Sequence, residues 1–479
     1  MNYNGMKVLI MGLGLHGGGL ESARYLLKRG AIVTVTDLRN EETLKPTINQ
    51  LDIICRDLGR EPVRYILGKH DIDDFKNACL VIKNPGVRPD SPFLKAAKCI
   101  ETDISLFLSE SKARLFAVTG TKGKSCTASA LHWILKAHNN RSFLGGNITV
   151  SPLTFIDELT ENDNIVLELS SFQLGDLKGR LNQHGNPLLK PAASVLTSIL
   201  PDHLDRYVSM DEYIDDKRNI YRGQDVNCIT VAGNDDWGKS FHAESKARPL
   251  TWSRFPLEKG ISGGWIDSGG NGIAKFYNWD GISEEETELF GDSLLVPGEH
   301  QKLNMIAASL AAYGFGVKAE TIHSALKTFP GIEHRLEMFH EKNGLRFYND
   351  SAATIPEAAA ACIDALSIKD SVLNGLILVT GGTDKNLDFS PLSGAAKKAK
   401  AVILLAGSGS EKLKQALAEA GVKYCGPFDN LDDAVSCALE KATAGDNIAL
   451  SPGCASFGMF LNEFDRGRKW KEAVLRLCQ

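Results

Sequence analysis

Short apolar runs alternate along this chain with stretches whose apolar residues return every three or four positions, and the runs end repeatedly in glycine, serine or an acid. Residues 8–11 predict a strand that ends in Gly12-Leu13-Gly14-Leu15-His16-Gly17, with a helix after it through Leu20, Ala23, Leu26 and Leu27. A second strand over 32–36 ends in Asp37. Further strands are expected at 65–67 and 79–83, the latter running into Asn84-Pro85-Gly86, and 93–110 is expected as a helix leading out of this segment. The pattern then repeats. Strands at 115–119, 165–169, 194–199 and 227–231 alternate with helices, one of them over 213–221. From 240 to 290 the spacing predicts small antiparallel strands and a solvated tip, and a helix rich in small apolar residues runs to Tyr313. In the last third, strands at 345–349, 376–380, 401–405 and 447–450 are again separated by helices. Strand and helix in strict alternation predict α/β folding with doubly wound sheets, whose ligands sit beyond the strand ends.

Length and composition narrow this picture. A chain of 479 residues exceeds one ordinary core and predicts roughly two to four domains. With 45 glycines and 43% hydrophobic residues, it suits many tight strand-to-helix turns rather than long helices. A net charge of -5 argues against nucleic acid or an anionic membrane as partner. The 10 cysteines show no paired metal-site or disulfide spacing, so they read as reduced thiols. The first strand starts almost at once, and no apolar run approaches the roughly 18 residues of a membrane span. The expectation is a cytoplasmic protein with no membrane insertion, a monomer because several domains already supply a large core.

Candidate chemistry gathers at the strand ends. Gly120-Thr121-Lys122-Gly123-Lys124-Ser125 follows one strand, and Cys126 opens the next helix. This arrangement aims backbone N–H groups at an anion, lets Lys124 reach phosphate and places the Ser125 hydroxyl for Mg²⁺. It lacks the first glycine of a full Walker loop, where Val118 stands, and the alternative is a structural turn. The Gly12–Gly17 loop with Asp37 leaves dinucleotide, another nucleotide and a plain turn all open. Glu168 puts a carboxylate inside an apolar strand, which points to a metal ligand unless that strand lies at an edge in water. His203 is equally a ligand or a structural hydrogen-bonding group. Composition alone makes Lys217 an exposed helix lysine. Asn304 follows His300 by one helical turn, so both can face one cleft or simply cap and pack. Arg335, Asp350 and Lys385 lie at strand ends of the last segment and are expected to face the central segment across a closing cleft.

Taken together, the phosphate loop, Glu168-Leu169-Ser170-Ser171-Phe172-Gln173, Pro201-Asp202-His203-Leu204-Asp205-Arg206-Tyr207, His300 with Asn304, His334-Arg335, Asn349-Asp350-Ser351 and Gly382-Thr383-Asp384-Lys385 resemble the Mur ligase family over essentially the whole chain. The resemblance implies three domains. An N-terminal Rossmann-like domain (1–112) would bind a UDP-linked substrate, a central P-loop ATPase-type domain (113–328) ATP, and a C-terminal Rossmann-like domain (329–479) an amino acid. It implies an ADP-forming acid–amino-acid ligase with UDP-N-acetylmuramoyl-L-alanine and D-glutamate as substrates. ATP would lie on Gly120, Thr121, Lys122, Gly123, Lys124, Ser125, Cys126, Asn304, Arg335 and Asp350. Two Mg²⁺ would be served by Ser125, Glu168, His203 and Lys217, this last carbamylated, and Lys124, Glu168, His203 and Lys217 would carry the catalysis. Gly14, Leu15, His16, Asp37, Arg39, Asn84, Gly86 and Asn147 match the UDP-substrate site. Thr354, Lys385, Ser456 and Phe464 match the amino-acid pocket. Several positions depart from the pattern: Lys122 replaces a common Asn, Ala352 and Ile355 replace Lys and Asn, and Phe464 stands one place late with Glu463 in the expected position. The competing readings are a Mur-type ligase for L-glutamate or another amino acid, a folylpolyglutamate synthase relative, and a non-catalytic P-loop module.

Overall fold

The apolar runs become strands buried on both faces, and they assemble into three main sheets. The computed structural model describes all residues except Met1, Leu15, His16, Thr149, Leu204, Asp205, Asp370, Ser371, Asn374, Lys385, Asn386 and Gln479. The chain packs as two compact units, residues 1–292 with 303–326 and residues 293–302 with 327–479. Among the described residues no helix is long and apolar enough to cross a membrane.

The first unit holds two sheets. One contains β1 (Lys7–Met11), β2 (Ile32–Asp37), β3 (Arg64–Leu67), β4 (Leu80–Lys83) and β5 (Ile100–Glu101) in the order β3-β2-β1-β4-β5, all parallel. The second is built on β6 (Arg114–Thr119), β7 (Ser142–Gly146), β8 (Asn164–Glu168), β9 (Ala193–Leu196) and β10 (Ile229–Gly233). It continues through β11 (Arg248–Ser253), β12 (Gly263–Ile266), β13 (Gly272–Lys275) and β14 (Thr287–Phe290), in the order β14-β13-β12-β11-β10-β9-β6-β8-β7. Four of five residues in β1 and five of six in β6 are buried, as strands covered by helices on both faces require. One apolar core runs under both sheets, with Leu26, Leu44 and Phe107 in the same cluster as Phe155, Leu167 and Tyr213.

Two expectations need correction. The stretch 93–110 is not one helix: helix Pro92–Lys95 stops, β5 pairs with β4, and helix Asp103–Glu110 begins anew. Thr102 and Ser105 form a reciprocal capping box that defines the new start. The region 240–290 holds the small antiparallel strands expected of it only in its second half. Helix Asp236–Glu244 occupies its beginning, β11 and β12 extend the central sheet in parallel, and the antiparallel pairing is confined to β12, β13 and β14.

The second unit carries β15 (Glu337–Lys342), β16 (Leu345–Asn349), a short ribbon of β17 (Ile368–Lys369) with β18 (Val372–Leu373), then β19 (Leu376–Thr380), β20 (Ala401–Leu405), β21 (Cys425–Phe428) and β22 (Asn447–Leu450). Its main sheet runs β15-β16-β22-β19-β20-β21, antiparallel at β15 and parallel elsewhere.

Candidate functional site

The phosphate loop leaves the end of β6 and is shaped by its glycines. Gly120 has φ 144°, and a Cβ there would lie 1.9 Å from Thr197 Oγ1. Gly123 has φ 88° and precedes helix Lys124–Asn139, so the chain turns sharply to present that helix N-terminus. The loop is pinned from the side: Thr121 N donates to Ser198 O at 2.7 Å, Thr197 Oγ1 to Lys122 O at 2.6 Å, and the Thr121 and Tyr213 hydroxyls meet at 2.9 Å. Lys124 Nζ donates to Thr121 O at 2.9 Å, folded back over its own loop. Ser125 and Cys126 follow it in the helix's first turn. Asn304 Oδ1 lies 2.3 Å from where a Gly123 Cβ would be, so its carboxamide abuts the loop. Lys122 is exposed and lies 3.7 Å from the Asp202 carboxylate.

Beside the loop, β8 ends in Glu168, whose side chain is buried. Its Oε1 accepts from Asn147 Nδ2 at 2.8 Å, while Oε2 is buried with no hydrogen-bond partner. An orphaned carboxylate oxygen is costly unless a cation meets it, so the residues fit a metal here. Lys217 corrects the composition-based expectation. It is 1% exposed rather than solvated, its Nζ donates to Gly120 O at 2.7 Å, and it lies 4.4 Å from the Tyr213 ring centre. Burial, reinforced by the Lys124 charge, pulls its pKa down to about 7. The helix that carries it, Met210–Arg222, is pressed onto helix Ser171–Asp176 at Gly175, where a Cβ would lie 2.5 Å from Asp216 Oδ2. His203 has φ 55°, and its ring lies 5.0 Å from that of Phe172 and 6.3 Å from that of Tyr213.

At the strand ends of the first sheet, Asp37 organises the glycine loop. Its Oδ2 accepts from Gly14 N at 3.2 Å and its Oδ1 from Arg39 N at 2.9 Å. Asn84 Oδ1 accepts from Gly86 N at 3.1 Å, and a Gly12 Cβ would lie 3.0 Å from Asn84 Cβ, so the two loops adjoin. Leu15 and His16 lie outside the described residues. Lys83 and Asp176, which no motif marked, form a buried ion pair at 2.5 Å, and Arg206, quoted in the 201–207 motif without a role, reaches the carbonyls of the 85–87 loop.

In the second unit, Asp350 follows β16 and is 7% exposed. Ser451 Oγ donates to its Oδ2 at 2.6 Å and Leu336 N to its Oδ1 at 3.1 Å, yet burial pushes its pKa up to about 7. Arg335 is exposed between His334 (φ 66°) and Leu336 (φ 47°), a left-handed pair that turns the chain around it. Ser456 is buried, Thr354 N donates to Ala352 O at 3.0 Å, and the Phe464 ring lies 5.6 Å from His334. Lys385 lies outside the described residues; its neighbour Thr383 exchanges two backbone hydrogen bonds with Ala455, each 3.0 Å.

Sequence reasoning missed Arg466, which is wholly buried. Its Nε donates to Ser351 Oγ at 3.0 Å, Nη2 to Ser351 O at 2.8 Å and Nη1 to Cys454 O at 3.2 Å. It also missed a cluster. Among the described residues, Glu333, His334 and Glu337 bring three donor atoms within 4.8 Å of one another. Lys471 Nζ already meets Glu337 Oε1 at 2.6 Å and Glu333 Oε1 at 3.4 Å, so an ammonium supplies the positive charge there.

Three family descriptions match the chain: Mur ligase MurD-like, N-terminal domain over 6–105, Mur ligase middle domain over 118–312, and Mur ligase, glutamate ligase domain over 334–454. The chain is 40% identical to a UDP-N-acetylmuramoylalanine--D-glutamate ligase from Borreliella afzelii (strain PKo), covering 98% of this chain and 97% of that protein. It is 38% identical to the protein of the same description from Treponema pallidum (strain Nichols), again over 98% and 97%. Among solved structures it is similar to a UDP-N-acetylmuramate-alanine ligase from Thermotoga maritima, with TM-score 0.58 and 21% identity over 98% of this chain and 100% of that one. This last likeness bears on the fold.

Proposed function

The chain belongs to the Mur ligase family, and from that premise we propose that it joins D-glutamate to the alanyl carboxyl of UDP-N-acetylmuramoyl-L-alanine with ATP, forming a peptidoglycan precursor. Segment 1–112 would receive the uridine nucleotide, 113–328 the ATP and 329–479 the amino acid, in a protein that works as a monomer. The observation that carries the reading is Lys217, a lysine buried against the phosphate-loop carbonyl of Gly120 with its pKa drawn down to about 7. A plain phosphate-binding loop has no use for such an amine. A neutral amine can attack CO₂ and lose a proton, which turns the side chain into a carbamate anion.

In the proposed reaction the alanyl carboxylate attacks the γ-phosphorus of ATP, the bond to the ADP oxygen breaks, and an acyl phosphate forms. The amine of D-glutamate then adds to the carbonyl carbon, loses a proton, and phosphate departs as the amide forms. Such a transfer needs placement and charge neutralisation more than covalent help. Lys124 and the helix N-terminus at Ser125 would hold phosphate oxygens, with Asn304 on the nucleotide, Arg335 toward the phosphates and Asp350 toward the ribose. Ser125, Glu168, His203 and the Lys217 carbamate are the groups that would hold two Mg²⁺, which supply positive charge across the phosphate oxygens when bound. Asn147 orients the Glu168 carboxylate through its 2.8 Å bond.

Release of phosphate from ATP in the presence of UDP-N-acetylmuramoyl-L-alanine and a panel of D- and L-amino acids tests this. D-Glutamate should support the fastest release, and Lys124→Ala should lower the rate by at least about a hundredfold with the fold retained. Absence of release with every amino acid of the panel would leave a nucleotide-binding module. A ligase for another amino acid has one specific support, the Ala352, Ile355 and Glu463 departures beside Asp350 and Phe464, and the same panel decides it. For Lys217, substitution by alanine should abolish turnover and added short-chain carboxylate should restore part of it. An unaffected Lys217→Ala enzyme would refute the carbamate.

A further inference from the structure

Among the described residues, the side chain of Arg206 fastens the segment that carries His203 to the loop after β4. Arg206 Nη1 donates to Gly86 O at 3.1 Å, and Nη2 to Pro85 O and Val87 O at 3.3 Å each. Three consecutive carbonyls therefore converge on one planar guanidinium, a receptacle that a tetrahedral ammonium fills poorly. The same guanidinium lies 3.7 Å from the Phe172 ring centre. Phe172 in turn lies 5.0 Å from the His203 ring and stacks on Tyr207 at 5.7 Å and 22°. Arg206 N and Tyr207 N both donate to His203 O, at 2.9 and 3.0 Å, so the backbone closes the same short circuit.

A second tie reinforces the first. Lys83, the last residue of β4, pairs at 2.5 Å with Asp176, the last residue of helix Ser171–Asp176, and both side chains are buried. The 84–87 loop leaves β4 immediately after Lys83, and Phe172 lies in the first turn of that helix. Loop and helix are thus held at both ends, through Arg206 on one side and Lys83 on the other. Neither contact touches an atom assigned to ATP or a metal.

Resting on the reading that the 84–86 loop receives the uridine nucleotide, we infer that Arg206 is a positioning residue of the ligation. It holds the uridine loop and the His203 segment as one piece, so that binding of the nucleotide sugar fixes where phosphoryl transfer takes place. Loss of its three hydrogen bonds releases the 85–87 carbonyls and loosens the uridine side first, while the ATP loop keeps its own anchors at Thr197, Ser198 and Tyr213.

The test is carried out on the full chain with Arg206→Met and Arg206→Lys. UDP affinity is measured by calorimetry without turnover, and KM for the nucleotide sugar and for ATP are measured during turnover. Arg206→Met should weaken UDP binding and raise KM for the nucleotide sugar by about tenfold, while KM for ATP moves by less than about twofold. Arg206→Lys should fall between it and the parent chain. A merely structural arginine would lower the active fraction and leave both uridine-side constants unchanged, and that result overturns the inference. Should Arg206→Met fail to fold, Arg206→Lys decides: weaker UDP binding supports the role and parental binding overturns it. If the parent chain itself does not bind UDP, the nucleotide reading fails and the inference falls with it. If the parent binds and Arg206→Met binds equally well, the inference alone falls.

Discussion

At Asp350 two effects oppose each other, and burial outweighs the bonds from Ser451 and Leu336, leaving the carboxyl at about 7. The folded chain therefore retains a proton that the unfolded chain releases from its ordinary value of 3.8 upward. Stability from this group is full below about 3.8 and is lost as pH rises toward 7. Asp350→Asn should flatten that part of the pH–stability curve, as urea titrations between pH 4 and 8 would show. Ribose hydroxyls donate to the charged form, so ATP binding should strengthen from pH 6 to 8 and expel a proton. Calorimetry in buffers of different ionisation heat would detect it, and a Kd independent of pH would count against ribose contact. Lys217 shows how far such residues are legible. It falls four positions after Tyr213 and four before Tyr221, on the buried face of its helix, and that spacing was the available signal. Its actual burial depends on its helix meeting helix Ser171–Asp176, where Asp216 closes on Gly175 and Asn219 bonds to Leu174 O, a match between distant segments that no local pattern contains. Arg466 left no such trace, because a long polar helix hides one inward arginine among several outward ones.

Elements joined by a glycine loop were the most readable, because a strand end, a left-handed glycine and a helix start leave separate marks in sequence. The first of these turns makes its own prediction. A Cβ on Gly19 would lie 2.3 Å from Gly12 O and 2.5 Å from Leu13 O, both backbone atoms that cannot swing aside. Gly19→Ala should therefore push helix Gly18–Lys28 off β1 and cost about 1–3 kcal/mol, read from the urea midpoint, with UDP binding weakened as well. Unchanged stability would mean that the helix can slide. Where punctuation was weak, the reading failed. Residues 93–110 looked helical because edge strand β5 is only two residues long, and 240–290 looked antiparallel throughout because short strands in succession leave no mark of which pairs run parallel, as β10 with β11 and β11 with β12 do.

For the whole molecule, the division into two compact units makes ligand effects separable. Loops 12–14, 37–39 and 84–86 belong to the first unit, so UDP should raise the melting of that unit and leave the other transition in place. At a hundred times its Kd the gain is about 2.7 kcal/mol, large enough for differential scanning calorimetry. A shift shared equally by both transitions would contradict this assignment. The continuous core under the first two sheets has a further consequence. Phe107 and Phe155 stand edge to face at 5.9 Å across the seam between them. A fragment trimmed near residue 112 would carry half of that seam into water as a sticky flank and would clump before it could be assayed, so uridine capture must be studied with the chain kept intact through residue 326.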